Sequence, residues 1–566
     1  MAVLALAWAL PVPAPLERAG NLIPLTAAGK HCLGIMAFAV ILWVTETLPF
    51  AATSLLVVLL IPAFGIAEYR AVVRAGFGDP VITFFIGVLI LSAAFTHSGL
   101  GTRLTYQVLL RVGTRTDRVL LGVLTVGTVI SMWITDMAVA AMLLPLGVGL
   151  LRDAGLKPGE SAFGRSLMIA TAFGPLIGGI ATPAGTAANI VALAQLKQLA
   201  GVDISFFRWM QLGTPASLLM IPFGWIILRW LFPPELEQLP ITSDGIRARL
   251  QALGPLTRGE SRTLVVFALA VLLWLTSPLI DSWSGGRITL PVEAVGLAAG
   301  VSMFLPGIRV LTWKEAEAGV EWGGLMMIVA GLSLGLAVYE SGAARWLAWV
   351  LLGGITTVPD ALKPFVIVLA VSALHLLFSS NTVTASIIIP ILVALARDLH
   401  LDPWPTVAPA AFTSSLAFIL VREGPTTIIP YSSGYFTIRD LAKAGVWMTL
   451  AAGPQLVNAG RLRALGVGTL KRVQILPDLP TMAEQKVKMD LTGWWGAMVP
   501  TGTPEPVIQQ INQWFTFIAQ TDETTKFLNS FGGDVWVSSH AEAQKYFVQQ
   551  IAAWREFVKL AKIEPQ

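Results

Sequence analysis

The amino-acid sequence predicts an all-α protein that crosses a membrane many times. Of its 566 residues, 55% are apolar and only 13% are charged, and the mean hydropathy is +0.71. Soluble domains carry about 25% charged residues. Apolar stretches close to the roughly 20 residues that cross a bilayer recur through the first part of the chain, for example at 212–228, 263–280 and 323–338. One soluble core could not bury so many stretches, whereas a bundle of helices in lipid can.

The charged and reactive residues argue against several other classes of protein. The net charge is +4 and the pI is about 9.2, but lysine and arginine are scattered between apolar segments. A nucleic-acid-binding protein would concentrate them in one patch, so no nucleic-acid partner is expected. Cys32 is the single cysteine, so no disulfide forms within the chain, and the five histidines have no metal-ligand spacing.

The apolar stretches give a set of predicted spans. Segment 2–14 is too short to cross a bilayer and lacks the basic start of a signal peptide, so we interpret it as a shortened first helix, with a cleaved signal as the alternative. Segments 118–150 and 363–397 each pair two short apolar stretches around polar residues, which predicts helical hairpins. The other predicted spans are 31–46, 51–67, 81–112, 166–199 (interrupted), 212–232, 263–281, 288–306, 322–354 and 406–434 (interrupted).

The two predicted hairpins belong to an internal repeat. ISMWITDMAVAAMLLP ends at Pro145, and HLLFSSNTVTASIIIP ends at Pro390. Aligning these prolines places Asp136 on Asn381. HSGLGTRLTYQVLL and ESGAARWLAWVLL match upstream at nearly the same offset, and the stretches GGIATPAGTAANI and LVREGPTTIIPYS match downstream. Three features in register indicate a true repeat.

Positive charges in the loops orient the repeats in the membrane. The connection 229–262 carries five arginines, whereas the loop 282–287 has only Arg287, so the first is predicted to be cytoplasmic. Counting the membrane passes back from this connection gives a cytoplasmic N-terminus. The first hairpin then enters the membrane from the cytoplasm, and the second enters it from outside. We therefore predict inverted repeats, at about 31–232 and 263–450, with two re-entrant hairpins and two broken helices. This arrangement is typical of secondary transporters.

Polar residues at the predicted interruptions are candidate binding groups. Non-helical backbone at membrane depth is tolerated only inside protein or beside water. The helix that follows a hairpin tip begins with free N–H groups that attract an anion, and hydroxyl oxygens there can ligate a cation. Such residues occur at 131–136 and 379–382, and the stretches 178–189 and 421–430 are predicted to unwind beside them. The alternative is that these residues serve only as helix caps and packing contacts.

Four motifs carry a family resemblance. They are WVTETLPFAATSLL at 43–56, the SNT at 380–382, the loop GGIATPAGTAAN, and SSGYFTIRDLAKAG at 432–445. With these motifs, residues 1–450 resemble the divalent-anion/sodium symporter family, whose members carry dicarboxylates, citrate or sulfate. The resemblance implies sodium as the coupling ion, a small carboxylate anion as substrate, an elevator-type mechanism and a homodimer in the lipid bilayer.

The resemblance also implies roles for individual residues. It assigns substrate contacts to Asn381, Thr382, Thr182 and Pro183. It assigns sodium ligands to Ser131, Thr135, the Ala181 carbonyl, Ser379 and Asn381. From their positions at the first tip and in the second interrupted helix, we add Asp136, Arg422 and Pro425 to the candidate substrate site, and Asp136 and Glu423 to the candidate sodium ligands.

Two departures from the family pattern change the expected electrostatics. Thr135-Asp136-Met137 stands where the family has Ser-Asn-Thr, and Arg422 with Glu423 replaces small residues. Unpaired charges at mid-membrane cost about 2.5–3.5 kcal/mol each, so partners are expected. We predict that Asp136 binds a cation or pairs with Arg422, which could instead clamp a substrate carboxylate. A local Arg422–Glu423 pair is the alternative, and protonation of Asp136 would permit proton coupling.

His375 and the end of the transmembrane region receive simpler interpretations. His375 lies on the apolar face of the second hairpin and is interpreted as a packing residue whose polar atoms are satisfied. Relatives have one more helix after SSGYFTIRDLAKAG, and the apolar stretch that follows is too short to cross, so we predict that this helix is cut off after about Leu450. The tail, 451–566, would then lie in the cytoplasm.

The tail has a different composition from the rest of the chain. It alternates strand-like and amphipathic helical pieces, which is typical of a soluble α/β domain. Through GRLRALGVGTLKRVQILPDLPTMAE and GWWGAMVPTGTPEPVIQQIN, residues 455–566 resemble the last third of the periplasmic substrate-binding proteins of tripartite tricarboxylate transport systems. The resemblance implies a partial α/β fragment that lacks most of the receptor and binds no ligand alone.

Three functions remain open from the sequence. The first is sodium-coupled symport of di- or tricarboxylate anions across a bacterial inner membrane. The second is a membrane-anchored binding or sensing protein that has lost transport. The third is a proton-coupled or other cation-coupled carrier of another anion such as sulfate. None requires covalent chemistry, so we predict that the protein is not an enzyme.

Overall fold

Helices account for nearly all regular structure in the described part of the chain. The computed structural model describes residues 2–18, 21–240, 243–285, 287–358, 363–376, 378, 380–459, 498–500, 502–525 and 535–560. The chain divides into two compact units, 1–461 and 462–566, and each is described by itself.

The first unit contains 22 described α-helices and one small hairpin of strands. The strands β1 (Leu16–Arg18) and β2 (Asn21–Ile23) pair antiparallel. The helices are α1 Ala2–Ala9, α2 Ala27–Thr45, α3 Phe50–Ala63, α4 Tyr69–Gly76, α5 Pro80–Ser98, α6 Leu100–Val112, α7 Thr116–Ser131, α8 Asp136–Asp153, α9 Ala162–Gly179, α10 Ala187–Ala200, α11 Phe206–Leu231, α12 Ser243–Ala252, α13 Arg258–Trp283, α14 Val292–Ser302, α15 Trp313–Gly319, α16 Trp322–Glu340, α17 Ala343–Leu352, α18 Lys363–His375, α19 Asn381–Asp398, α20 Pro403–Thr413, α21 Pro425–Tyr431 and α22 Ile438–Ala459.

Several of these helices have the length and composition of membrane spans. Within the described residues, six helical segments are long and apolar enough to cross a bilayer: Ala27–Thr45, Tyr69–Ser98, Phe206–Leu231, Arg258–Trp283, Trp322–Glu340 and Asn381–Asp398. Three shorter apolar helices accompany them: Phe50–Ala63, Val292–Ser302 and Lys363–His375. The prediction of a helical, multi-pass membrane protein is confirmed at this level.

Two predicted spans end earlier than expected, and each has a glycine at the break. Span 81–112 divides into α5 and α6 at Gly99, whose φ is +80°, and span 322–354 divides into α16 and α17 at Gly342, whose φ is +77°. Glycine adopts this left-handed conformation without the strain that a Cβ brings, so it ends the longer helix. These two glycines occupy the same position in the matched stretches HSGLGTRLTYQVLL and ESGAARWLAWVLL.

The two ends of the first unit correct the sequence predictions. The predicted span 2–14 is a helix of 8 residues, α1, which at 1.5 Å per residue is about 12 Å long. Pro11 and Pro13 follow it and cannot continue a helix. At the other end, the helix predicted to stop after about Leu450 runs on to Ala459, so α22 has 22 residues.

The first turn of α9 is fixed by side chains from outside the spans. Ser161 caps the helix by accepting from the Gly164 N–H at 2.8 Å, and its hydroxyl also bonds to Glu235. Burial raises the pKa of the Glu235 carboxyl, but bonds from Ser161 and from the Phe163 N–H at 2.8 Å outweigh it and leave that pKa below its usual value. The charged carboxylate therefore stabilises the start of the helix that leads to the candidate site.

The described part of the second unit includes the helices α23 (Glu505–Ala519) and α24 (His540–Leu560). The Asn512 amide on α23 donates to the carbonyl of Ser538, two residues before α24, at 3.1 Å. The motif GRLRALGVGTLKRVQILPDLPTMAE, at 460–484 in the predicted α/β tail, lies outside the described residues.

Candidate functional site

Asn189 holds the two ends of the first interrupted helix together. Between α9 and α10, residues 180–186 are not helical, and we call them the first break. Asn189 is fully buried at the start of α10, and its Nδ2 donates to the carbonyls of Gly179 and Thr182, each at 2.8 Å. A Cβ at Gly185 would lie 2.4 Å from the Gly179 carbonyl oxygen, so only glycine permits this close approach. Buried carbonyls without partners are costly, and Asn189 supplies the missing donors.

The first hairpin tip lies directly against the first break. Helix α7 ends at Ser131 and α8 begins at Asp136, and the four residues between them form this tip. The Thr182 hydroxyl donates to the Met132 carbonyl at 2.5 Å, and the Asp136 N–H donates to the Gly185 carbonyl at 3.3 Å. The tip and the break therefore share hydrogen bonds and form one half-site.

Asp136 lies at the point where this half-site meets other elements. Its carboxylate is buried with only 9% of the residue exposed, and Oδ1 accepts from the Met137 N–H at 2.9 Å. The side chain also lies near Thr426 on α21, and Glu321 at the start of α16 is close enough to interact with it electrostatically. Free N–H groups at the start of α8 favour the negative charge. Two carboxylates in one region attract cations, and sequence reasoning had not connected Glu321 with this site.

The second interrupted helix unwinds earlier than predicted. Helix α20 ends at Thr413 and α21 begins at Pro425, so residues 414–424 form the second break, with a short 3₁₀ turn at Val421–Glu423. The predicted stretch 421–430 is therefore only partly unwound, because Pro425 occupies the first turn of a helix, where its missing N–H is not needed.

Asn381 and Ser415 connect the second half-site to the first. Asn381 is the first residue of α19, and its Nδ2 donates to the Ser415 carbonyl at 3.3 Å. The Ser415 hydroxyl donates to Asn189 Oδ1 at 3.0 Å, and both residues are buried. A Cβ at Gly424 would lie 3.9 Å from Asn381 Oδ1, so the second break also borders this amide. The contacts run without a gap from one half-site to the other.

Neither predicted ion pair of Arg422 is present. Arg422 is exposed, and its Nη2 donates to the Leu376 carbonyl at 3.2 Å, while no described carboxylate, neither Asp136 nor Glu423, lies within 4.0 Å of its charged nitrogens. The 3₁₀ turn directs Arg422 toward the free carbonyls at the end of α18 and directs Glu423 inward. Glu423 is 2% exposed; its Oε2 accepts from the Ile419 N–H at 3.1 Å, and its Oε1 has no partner among the described residues.

Three predicted sodium ligands cluster around the first break. Ser131 is fully buried and donates to the Pro175 carbonyl at 2.8 Å, which leaves its oxygen lone pairs for a cation. Thr135 is buried at the N-cap of α8, where its side chain makes no capping bond. The Ala181 carbonyl accepts from the Thr214 hydroxyl at 3.3 Å and retains a second lone pair.

The remaining predicted site residues are spread over both half-sites. Thr382 is buried in the first turn of α19, where its carbonyl accepts from the Ser386 hydroxyl at 2.8 Å. Pro183 is buried in the first break, and Pro425 is exposed at the start of α21. Ser379 lies outside the described residues.

Sequence comparison now decides the family. A model for the transmembrane region of sodium:sulfate symporters matches residues 1–460. The chain belongs to this family. It is a multi-pass membrane protein of a transporter family, with sodium as the coupling ion that the family implies. A second model, for the tripartite tricarboxylate transporter family receptor, matches residues 422–563 and overlaps the first at 422–460. Both family resemblances seen in the sequence are confirmed.

Individual relatives agree with this assignment. The sodium-dependent dicarboxylate transporter SdcS of Staphylococcus saprophyticus is 31% identical over 447 residues, which cover 75% of this chain and 84% of the relative. SdcS of Staphylococcus aureus is 31% identical over 445 residues, which cover 75% of this chain and 83% of the relative. The structure is similar to that of the Alcanivorax borkumensis YdaH transporter, with a TM-score of 0.50 and 16% identity over 81% of this chain and 94% of that chain. This last likeness shows a transporter-like fold.

Proposed function

We propose that this chain of the sodium:sulfate symporter family is a sodium-coupled symporter of di- and tricarboxylate anions in a bacterial inner membrane. The observation that carries the proposal is the continuous set of contacts from Asp136 through the first break to Asn189, Ser415 and Asn381. Two helix N-termini and two breaks therefore border one polar region, where an anion meets free N–H groups. The dicarboxylate substrates of the relatives support this class of anion.

The two half-sites correspond to two inverted repeats. Helices α8 and α19 each have 18 residues, and each begins at a hairpin tip. The glycines that end α5 and α16 have nearly the same positive φ. With the loop charges placing the two hairpins on opposite sides, these features support an elevator-type movement of both half-sites together.

A carboxylate substrate is proposed to bind between the tips. Asn381, Thr382, Thr182 and Pro183 contact it through hydroxyl, amide and backbone groups. The exposed guanidinium of Arg422 uses one donor on Leu376 and has others left, so it clamps a substrate carboxylate at the mouth of the site.

Sodium ions are proposed to make the anion site electrically favourable. Asp136 with Ser131, Thr135 and the Ala181 carbonyl forms one cation site, and Glu423, whose Oε1 is buried without a described partner, contributes with Ser379 and Asn381 to the other. A cation at Asp136 cancels the charge that would otherwise repel the substrate. Sodium therefore binds with the anion, which is the physical basis of symport.

The protein is proposed to act as a homodimer, with its tail in the cytoplasm. Arg439 and Lys443 lie in the first turns of α22 and favour the cytoplasmic side. Helix α22 is not among the six segments apolar enough to cross a bilayer, so the chain that follows stays on that side.

A second candidate function is proton-coupled transport of another anion, such as sulfate. The buried carboxyl of Asp136, where the family pattern has asparagine, favours it because this group can carry a proton. Uptake of labelled succinate, citrate and sulfate into proteoliposomes separates the candidates when sodium is exchanged for choline at several pH values. Sodium-dependent succinate or citrate uptake supports the first function, and uptake that follows pH but not sodium overturns it. Binding without uptake would instead indicate a transport-inactive fusion.

A further inference from the structure

His375 is a buried polar side chain that the proposed function leaves unused. It is the last residue of α18, directly before the second hairpin tip, and only 2% of it is exposed. Neither ring nitrogen forms a hydrogen bond of ordinary geometry with the described residues. His375 is packed inside the protein, as the sequence predicted, but the described residues do not satisfy its ring nitrogens. A buried donor or acceptor without a partner costs about 1–3 kcal/mol.

The Asn381 amide, next to His375, has a buried acceptor that lacks a partner. Its Nδ2 donates to the Ser415 carbonyl, which can only accept, and this contact fixes which end of the amide faces Ser415. Its Oδ1 is buried and lacks a partner in the described part of the chain. The His375 ring lies within interaction range of the Asn381 side chain and of the Thr413 backbone.

We infer that His375 is a positioning residue for Asn381, whose Oδ1 accepts a hydrogen bond from the His375 imidazole N–H when the site is occupied. This inference rests on the proposed carboxylate site. A neutral imidazole has one N–H donor, and Asn381 Oδ1 is the acceptor without another partner. The two side chains are within interaction range, and hydrogen bonds at binding sites often tighten only in the complex.

The bond determines what Asn381 does. With Oδ1 bound to His375 and one Nδ2 hydrogen on Ser415, the second Nδ2 hydrogen remains for the substrate. Asn381 therefore donates to a substrate carboxylate, and its Oδ1 retains a second lone pair for a cation. His375 thus orients the amide of which both functions make use.

The test compares three variants of the full chain. His375→Leu removes the donor, His375→Gln retains an amide donor, and Ser372→Ala removes another buried hydroxyl without a described partner, one turn earlier on the same helix. Succinate and sodium binding by each purified protein are measured by calorimetry, and uptake is measured in proteoliposomes.

The expected result separates a positioning donor from a packing residue. His375→Leu should weaken succinate binding about fivefold to tenfold, the size of one hydrogen bond. His375→Gln should recover part of the loss, and Ser372→Ala should bind succinate as the wild type does.

Two outcomes overturn the inference. If His375→Leu and Ser372→Ala weaken succinate binding equally, His375 is only a packing residue. If His375→Gln binds succinate as weakly as His375→Leu, the hydrogen-bond donor is not what positions Asn381. Succinate binding by a wild type that shows no uptake would contradict the proposed symport while leaving the role of His375 measurable.

Discussion

The Ser415 hydroxyl donates a hydrogen bond of 3.0 Å to Asn189 Oδ1, although 226 residues separate the two in the chain. Asn189 closes the first break and Ser415 lies in the second, so this bond joins the two half-sites at a buried point. Asn189 uses both the nitrogen and the oxygen of its amide, so a smaller side chain at this position could not replace its hydrogen bonds.

Replacing Asn189 by alanine should destabilise the protein strongly. Asn189→Ala leaves the Gly179 carbonyl and the Ser415 hydroxyl without partners, each at a cost of about 1–3 kcal/mol. It also leaves the Thr182 carbonyl with only the 3.3 Å bond from the Gly185 N–H. Ser415→Ala removes one of the three bonds and should have a smaller effect. Melting temperatures in detergent should therefore fall in the order wild type, Ser415→Ala, Asn189→Ala. If Asn189→Ala and the wild type had equal melting temperatures, the structure of the two breaks would not depend on this amide.

Replacing Asp136 by asparagine should weaken sodium dependence while preserving the helix start. Asparagine caps a helix about as well as aspartate, so folding should persist. Loss of the charge should raise the half-saturating sodium concentration about tenfold, or roughly 1.4 kcal/mol. The matched control is Asp203→Asn, because the Asp203 side chain is 69% exposed in a surface ion pair. An unchanged sodium dependence in Asp136→Asn would remove Asp136 from the cation site.

Arg422 should affect substrate affinity through its shape as well as its charge. Arg422→Ala should raise the KM for succinate about tenfold, and Arg422→Lys should recover only part of this because an ammonium cannot bind a carboxylate bidentately. Initial uptake rates at fixed saturating sodium give both values. If Arg422→Ala leaves the KM and the substrate preference unchanged, Arg422 does not bind the substrate carboxylate.

A buried ion pair outside the site should matter more for stability than an exposed one. Arg103 on α6 donates to both carboxylate oxygens of Glu260 at 2.7 and 3.0 Å, and both side chains are less than 10% exposed. Glu260→Ala leaves a buried guanidinium charge and should cost about 3–5 kcal/mol. Asp203→Ala breaks the exposed pair with Lys197 and should cost less than about 1 kcal/mol. Similar melting shifts in the two variants would contradict this ranking.

The position of the tail can be measured with a single introduced cysteine. Cys32, the native cysteine, is buried, so a Cys32→Ala background removes any residual reaction. Ser539→Cys places a thiol just before α24. A membrane-impermeant maleimide should label it in inverted vesicles and leave it unlabelled in intact cells. Labelling in intact cells would mean that α22 crosses the membrane.

Much of the architecture could be predicted from the sequence because its signals are local. Apolar length indicates spans, and the Gly- and Pro-containing stretch around Pro183 indicates a break. The prediction for α22 stopped too early because Gln455 and Asn458 interrupt the apolar pattern, although a helix continues through them.

The contacts between the half-sites could not be predicted in the same way. The Asn189–Ser415 bond depends on how two distant side chains point after packing, and no spacing encodes it. Arg422 was expected to meet a carboxylate, but a single 3₁₀ turn faces it toward the Leu376 carbonyl instead. Side-chain direction at irregular backbone is set by tertiary structure, so charge complementarity alone suggested a pair that does not form.

The number of succinate molecules bound per chain tests the shared site most directly. Calorimetric titration in saturating sodium should give one succinate per chain, and Thr182→Val in the first half-site or Asn381→Ala in the second should each abolish the whole binding signal. Two bound succinates, or a variant that removes only half of the signal, would show that the half-sites act separately and would contradict a single anion held between them.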